Sequence, residues 1–143
     1  AADQVTSNVI RVIGALVRDD AGRMLVVRKS GTDAFMQPGG KPEPGEFPLD
    51  TLEREIHEEL GCYIDRESAE HFGSFEAQAA HELNVIVIAE IYKTNLRGDP
   101  MPGNEIDAIE WLDVNNPGHV PLAPLTKEHI LTRLTGRKAA VPL

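Results

Sequence analysis

Several things are scarce in this chain, and each scarcity removes a class of protein. There is one cysteine, Cys62, so no disulfide can form within the chain, which fits a reducing compartment. No apolar run approaches the length of a membrane span. The opening stretch "AADQVTSN" is small and polar and lacks the charged-then-apolar pattern of a secretory signal. The reading is a soluble, cytoplasmic protein with no membrane partner. Basic residues are also few: 14 Lys and Arg stand against 23 Asp and Glu, a formal net charge of −9. That argues against binding a nucleic-acid polymer, which calls for a basic stripe. A small phosphate ligand stays compatible if a cation accompanies it.

Internal repeats and low-complexity tracts are absent too. A length of 143 residues suits one domain with a sizeable core. The expected organisation is a loose terminus over 1–7, one domain over 8–136 and a tail over 137–143. Nothing in the sequence excludes pairing as a homodimer. Within the domain, residues 8–20 and 24–30 read as the strands of a hairpin around "DDAGR". Residues 71–80 and 84–95 read as a second hairpin. Its later strand is apolar on both faces and therefore central. Residues 106–114 form a short strand and 125–136 a final helix. Strands dominate, with two helices, so the fold class is mixed α/β.

The acid is concentrated. Residues 40–62 hold seven acidic side chains against Lys41 and Arg54, a net −5 in 23 residues. The segment begins in a long Gly/Pro loop, "GTDAFMQPGGKPEPGE", of a length that is usually functional inside a compact domain. A helix follows, with Pro48 suited to its first turn and Gly61 to the position past its end. Leu49, Leu52, Ile56 and Leu60 make a stripe for docking on a sheet. At about 100° per residue, Glu55, Glu58 and Glu59 cluster roughly 110° round from that stripe. They repel one another and sit where the helix dipole disfavours negative charge. A solvated face with an Arg54–Glu58 pair is one reading of "EREIHEE". A site for a hard divalent cation, which takes oxygen ligands, is the other.

The preceding loop favours the second. Gly40, five residues, Glu46, seven residues and then "REIHEELG" resembles the Nudix box, G-x5-E-x7-R-E-U-x-E-E-x-G-U, at the required spacing. Cys62 stands where a bulky aliphatic is usual and packs as a small hydrophobe. "FMQPGG" is similar to the segment that leads into the box. The resemblance implies a Nudix α/β/α sandwich with a mixed central sheet, spanning residues 8–136. It also implies a pyrophosphohydrolase that uses Mg²⁺ (or Mn²⁺) to cut a nucleoside diphosphate linked to another group X. Carried over residue by residue, it makes Glu55, Glu58 and Glu59 metal ligands, with the carbonyl of Gly40 as a further one. Glu46 and Arg54 become a supporting pair that orients Glu55.

The proton acceptor stays open between Glu58 on the helix and Glu105, in the loop before the strand that carries Trp111. Arg28 and Lys29, at the end of a strand entering the long loop, are candidates for substrate phosphate. Relatives that cleave ADP-ribose often carry a proline about 16 residues past the box, and those that cleave dinucleoside polyphosphates a tyrosine about 18 past it. Here that region reads Gln78, Ala79 and Ala80, with neither. The expected substrate is a nucleoside triphosphate, with nucleotide sugars next. A nucleotide-binding sensor without activity is the alternative of a different class, and such domains commonly lose box glutamates that this chain keeps.

Overall fold

The structure, a computed structural model, describes residues 8–79 and 83–137. The loose terminus expected at 1–7, the tail expected at 137–143 apart from Arg137, and Ala80 lie outside the described residues. The strands are β1 (Asn8–Leu16), β2 (Met24–Lys29), β3 (Phe35–Met36), β4 (Gly39–Gly40), β5 (Tyr63–Gln78), β6 (Val85–Arg97) and β7 (Ile106–Leu112). Helix α1 runs Pro48–Leu60, between β4 and β5. A π-helical stretch, Leu125–Ile130, continues into α2 (Leu131–Thr135). Among the described residues no helix is long and apolar enough to cross a membrane.

Two sheets lie between the helices. One is mixed, in the order β4-β1-β6-β5, and the other is antiparallel, in the order β3-β2-β7. Period-2 alternation divides the core. Ile13, Ala15 and Val17 with Leu25 and Val27 pack against Leu52, Ile56 and Leu60 of α1. The intervening Leu16, Met24 and Val26 pack on the other side with Ile130 and Leu131 of the last helix. This is the α/β/α sandwich with a mixed sheet that the sequence led us to expect. β6 does lie between two strands, with β1 parallel on one side and β5 antiparallel on the other.

The hairpin expected from residues 8–20 and 24–30 is not a ladder. β1 pairs with β4 and β6, whereas β2 pairs with β3 and β7. Among the described residues, the Arg18–Met24 bridge and the Leu25 N–H donated to Val17 O (2.9 Å) join them at the turn, which the Asp19 N–H donated to Arg23 O (2.9 Å) closes. Both strands carry apolar side chains on two faces. Each is therefore an interior strand of its own sheet, covered above and below. β5 also starts earlier than expected, at Tyr63, because its polar first half pairs with β6 through bulges after Asp65 and after His71.

The Gly/Pro loop is stitched to both sheets rather than free. Val27 and Arg28 of β2 pair with Met36 and Phe35. Ile13 and Gly14 of β1 pair with Gly40 and Gly39, and the Ala15 N–H reaches Pro38 O at 2.9 Å. Glycine is required at 39: φ is +148°, and a Cβ there would stand 2.0 Å from Ile13 O. At Gly45, φ is +84° with nothing within 4 Å of such a Cβ. Gly39→Ala should therefore cost stability by strain and collision together, on the order of 3 kcal/mol. Gly45→Ala should cost about 1 kcal/mol from backbone strain alone. Urea denaturation of both variants checks this, and equal losses would mean that the β1–β4 contact does not constrain position 39.

Candidate active site

Helix α1 aims the acids. Its start is fixed by Pro48, by the Phe47 N–H donated to an Asp50 carboxylate oxygen (3.0 Å), and by Arg66, whose Nη2 donates to the other oxygen of Asp50 (2.8 Å). Leu52, Ile56 and Leu60 are fully buried. With that stripe anchored, Glu55, Glu58 and Glu59 are turned toward the stitched loop. Gly61, at φ +70°, ends the helix.

Arg54 ties the loop to the helix. Its Nε and Nη2 donate to the two carboxylate oxygens of Glu46 at 2.8 and 2.9 Å, a bidentate pair. Nη1 donates to Glu55 at 2.7 Å, and Nη2 also reaches the Lys41 carbonyl at 3.1 Å. Glu58, four residues on, stands 3.8 Å from Nη1 with its side chain half exposed. Glu46 accepts two further hydrogen bonds, from the Glu43 N–H (2.7 Å) and the Thr51 hydroxyl (2.9 Å). Hydrogen bonding to Arg54, and then to Glu43 N–H and Thr51, holds the Glu46 carboxyl down at about 2. Its hydrogen bonds to Glu46 and then to Glu55 hold the Arg54 guanidinium above its ordinary value. Glu59 is the buried member of the acidic set, 5% exposed, and accepts the Gly39 N–H at 3.2 Å. Burial pushes its carboxyl well up, against the attraction of Lys29 and the Gly39 N–H, and the neighbouring Glu55 adds to the rise.

These groups meet in one cavity of about 290 Å³, whose wall includes Glu55, Glu58, Glu59, Glu105, Lys29 and Lys41. Gly40 is part of the same wall, and a Cβ there would lie 2.4 Å from the Glu55 carboxyl carbon, so only glycine leaves room beside that carboxylate. The donor set is entirely oxygen, which matches a hard divalent ion. Among the described residues no three acidic, imidazole or thiol side chains already close on a single point. Glu55 is engaged by Arg54, and Glu59 by the Gly39 N–H. The residues thus fit such an ion in kind, with Glu58 the least committed of the three.

The two basic candidates separate. A register shift between Arg28 and Lys29 breaks the ladder with β7. Lys29 lines the acidic cavity, while Arg28 lies over the Phe35 ring, 5.5 Å from its centroid, and takes no part in the cavity wall. Beside the cavity is an apolar slot of about 140 Å³. Met36, Gln37, Val87 and Leu125 line it, and Val12, Lys29 and Gly40 belong to both spaces. Sequence reasoning missed Lys41 and Asn104 as cavity residues and missed the slot altogether. Lys41 follows Gly40 directly, and Asn104 precedes Glu105, so adjacency was the available signal. The slot draws on residues from 12 to 125, which no local spacing reveals.

Comparison with known proteins bears on the family and the fold. The NUDIX domain family matches residues 9–134. The chain is 45% identical over 49 residues to an RNA pyrophosphohydrolase of Halorhodospira halophila, an alignment covering 34% of this chain and 27% of that one. It therefore spans about a quarter of that relative's length. It is 27% identical over 115 residues to the uncharacterized Nudix hydrolase YvcI of Bacillus subtilis, covering 80% of this chain and 72% of the relative. Among solved structures, the E. coli ORF135 protein superposes with a TM-score of 0.69 at 24% identity, covering 97% of this chain and all of that one, which speaks for the fold.

The Glu46–Arg54 pair carries a pH signature. Glu46 titrates near 2 in the folded protein, against an ordinary value of 4.5. Between those values the unfolded chain binds the proton more readily, so acid favours unfolding. The contribution of Glu46 to stability is complete above about pH 4.5 and fades as pH falls toward 2. The melting temperature of Glu46→Gln should therefore lie below wild type at pH 7 and converge on it as pH is lowered through 4 and 3. A gap that stays constant with pH would mean the pair does not form in solution.

Proposed function

Since the chain belongs to the Nudix family of hydrolases, we propose that it is a Mg²⁺- or Mn²⁺-dependent pyrophosphohydrolase whose preferred substrate is a nucleoside triphosphate. The observation that carries this reading is the single cavity in which four glutamates, two lysines and Gly40 face an apolar slot across a shared wall. Glu55, Glu58, Glu59 and the Gly40 carbonyl would hold the ion. Bound there, a divalent cation supplies neutralisation of phosphate charge and Lewis acidity.

The chain's own groups supply the rest. Lys29 and Lys41 hold phosphate oxygens, and Arg54 keeps Glu55 and the loop in register. Glu105 is the proton acceptor for the water that attacks phosphorus. Its carboxylate lines the cavity and has no hydrogen bond or ion pair among the described residues, so its lone pairs are free to take a proton. Glu58 then serves as ligand rather than base. The slot, apolar along most of its wall, suits a nucleobase, which a nucleoside triphosphate and a nucleotide sugar both carry. The net charge of −9 speaks against a track for an RNA polymer, although relatives matched over 49 and over 124 residues carry the name RNA pyrophosphohydrolase.

A panel of nucleoside triphosphates and nucleotide sugars, assayed for release of nucleoside monophosphate and pyrophosphate or sugar phosphate, tests the substrate. EDTA should abolish turnover, and Mg²⁺ or Mn²⁺ should restore it. Full turnover after rigorous metal removal would end the metal-dependent reading. Glu105→Gln should lower kcat by about 10²-fold or more while leaving KM and the Mg²⁺ requirement nearly unchanged. Glu58→Gln should lower kcat and raise the Mg²⁺ concentration needed. Glu105→Gln at wild-type rates across a Mg²⁺ titration would remove Glu105 from the chemistry.

A further inference from the structure

The last four carbonyls of a helix ordinarily lack intrahelical partners. In α1 each has a donor. The Gly61 N–H serves His57 O at 3.0 Å. The other three donors come from a distant loop: Asn104 N–H to Glu58 O at 3.2 Å, Gly103 N–H to Glu59 O at 2.7 Å, and Met101 N–H to Leu60 O at 3.0 Å. Pro102 has no N–H to give. Every amide hydrogen of residues 101–104 is therefore spent on the end of this one helix.

Two of the carbonyls so held belong to Glu58 and Glu59, whose side chains line the acidic cavity. The segment leads directly into Glu105, which lines the same cavity. Glu105 is held with φ at +60°, a conformation that glycine or asparagine adopts more readily than glutamate. Its carbonyl accepts the Ser30 N–H at 2.8 Å, and Gly103 O accepts the Ile106 N–H at 3.1 Å, which closes the turn. Gly103 cannot be replaced quietly. A Cβ there would lie 2.7 Å from Glu58 O and 3.0 Å from Glu59 O.

We propose that residues 101–104 are a clamp that sets the position of Glu105 relative to the glutamate-bearing turn of α1, with Gly103 as its positioning residue. The inference rests on the reading of Glu105 as proton acceptor. Two walls of the cavity come from segments more than 40 residues apart, and the clamp makes them one rigid piece. It also places three N–H dipoles against the negative end of the helix, where Glu58 and Glu59 would otherwise add like charge to it.

The test is a double-mutant cycle with an independent readout. Gly103→Ala should lower kcat at least about tenfold, with KM for the nucleoside triphosphate changed less than about twofold. In the Glu105→Gln background the same substitution should cost little further, because the group it misplaces is already gone. A merely structural defect would instead multiply with Glu105→Gln. Separately, amide exchange of the metal-free wild-type chain should show Met101, Gly103 and Asn104 protected at least about a hundredfold relative to a peptide of the same sequence. This measurement decides the matter alone if Gly103→Ala does not fold. Peptide-like exchange at these amides, independent losses in the cycle, or wild-type kcat for Gly103→Ala beside a slow Glu105→Gln would each overturn the clamp. A fast Glu105→Gln would overturn the role of Glu105 itself, and the clamp with it.

Discussion

The site depends first on one guanidinium. Arg54 projects from the middle of α1, and its fork is occupied on every side by oxygen: both carboxylate oxygens of Glu46, one of Glu55 and the carbonyl of Lys41. A point charge such as lysine could not make this set of bonds, because the planar fork fixes direction as well as charge. Through it the loop carrying Gly40 and the helix carrying the glutamates share one frame. The acid-rich stretch around Arg54 is tolerable in the folded state partly because this cation stands among Glu43, Glu46, Glu55 and Glu58 at 2.7 to 3.8 Å.

Backbone does the remaining work of bringing the walls together. Gly39 lies so close to β1, and Gly40 so close to α1, that a side chain would strike Ile13 O at the first and the Glu55 carboxylate at the second. Glycine here is a requirement of proximity rather than of flexibility. The result is a rim built from the loop, α1, β1, the end of β2 and the turn before β7. These five pieces meet because the two sheets share a core under α1.

Much of this was legible in the sequence, and the unread part has physical reasons. The helix bounds were readable because Pro48 and Gly61 mark them chemically. The fold class was readable because apolar periodicity reports burial. The partners of β1 and β2 were not readable, since a strand that is apolar on both faces shows that it is interior but not which neighbour it takes. Arg28 and Lys29 could not be ranked, because adjacent strand residues face opposite ways and only the register shift at that point shows which one meets the acids. The polar first half of β5 gave no strand signal because edge pairing to β6, not burial, defines it. The slot was invisible, since its walls converge only after the sheets and the last helix pack.

The loop that carries Gly40 is laddered on both flanks, through β3 to one sheet and β4 to the other. Such a segment surrenders its conformational entropy when the chain folds, not when a ligand arrives. Its laddered part, through Gly40, is therefore ill suited to act as a closing flap. On the proposed reading, a ligand would meet a wall already formed, and adaptability toward different nucleotides would reside in the side chains of the slot.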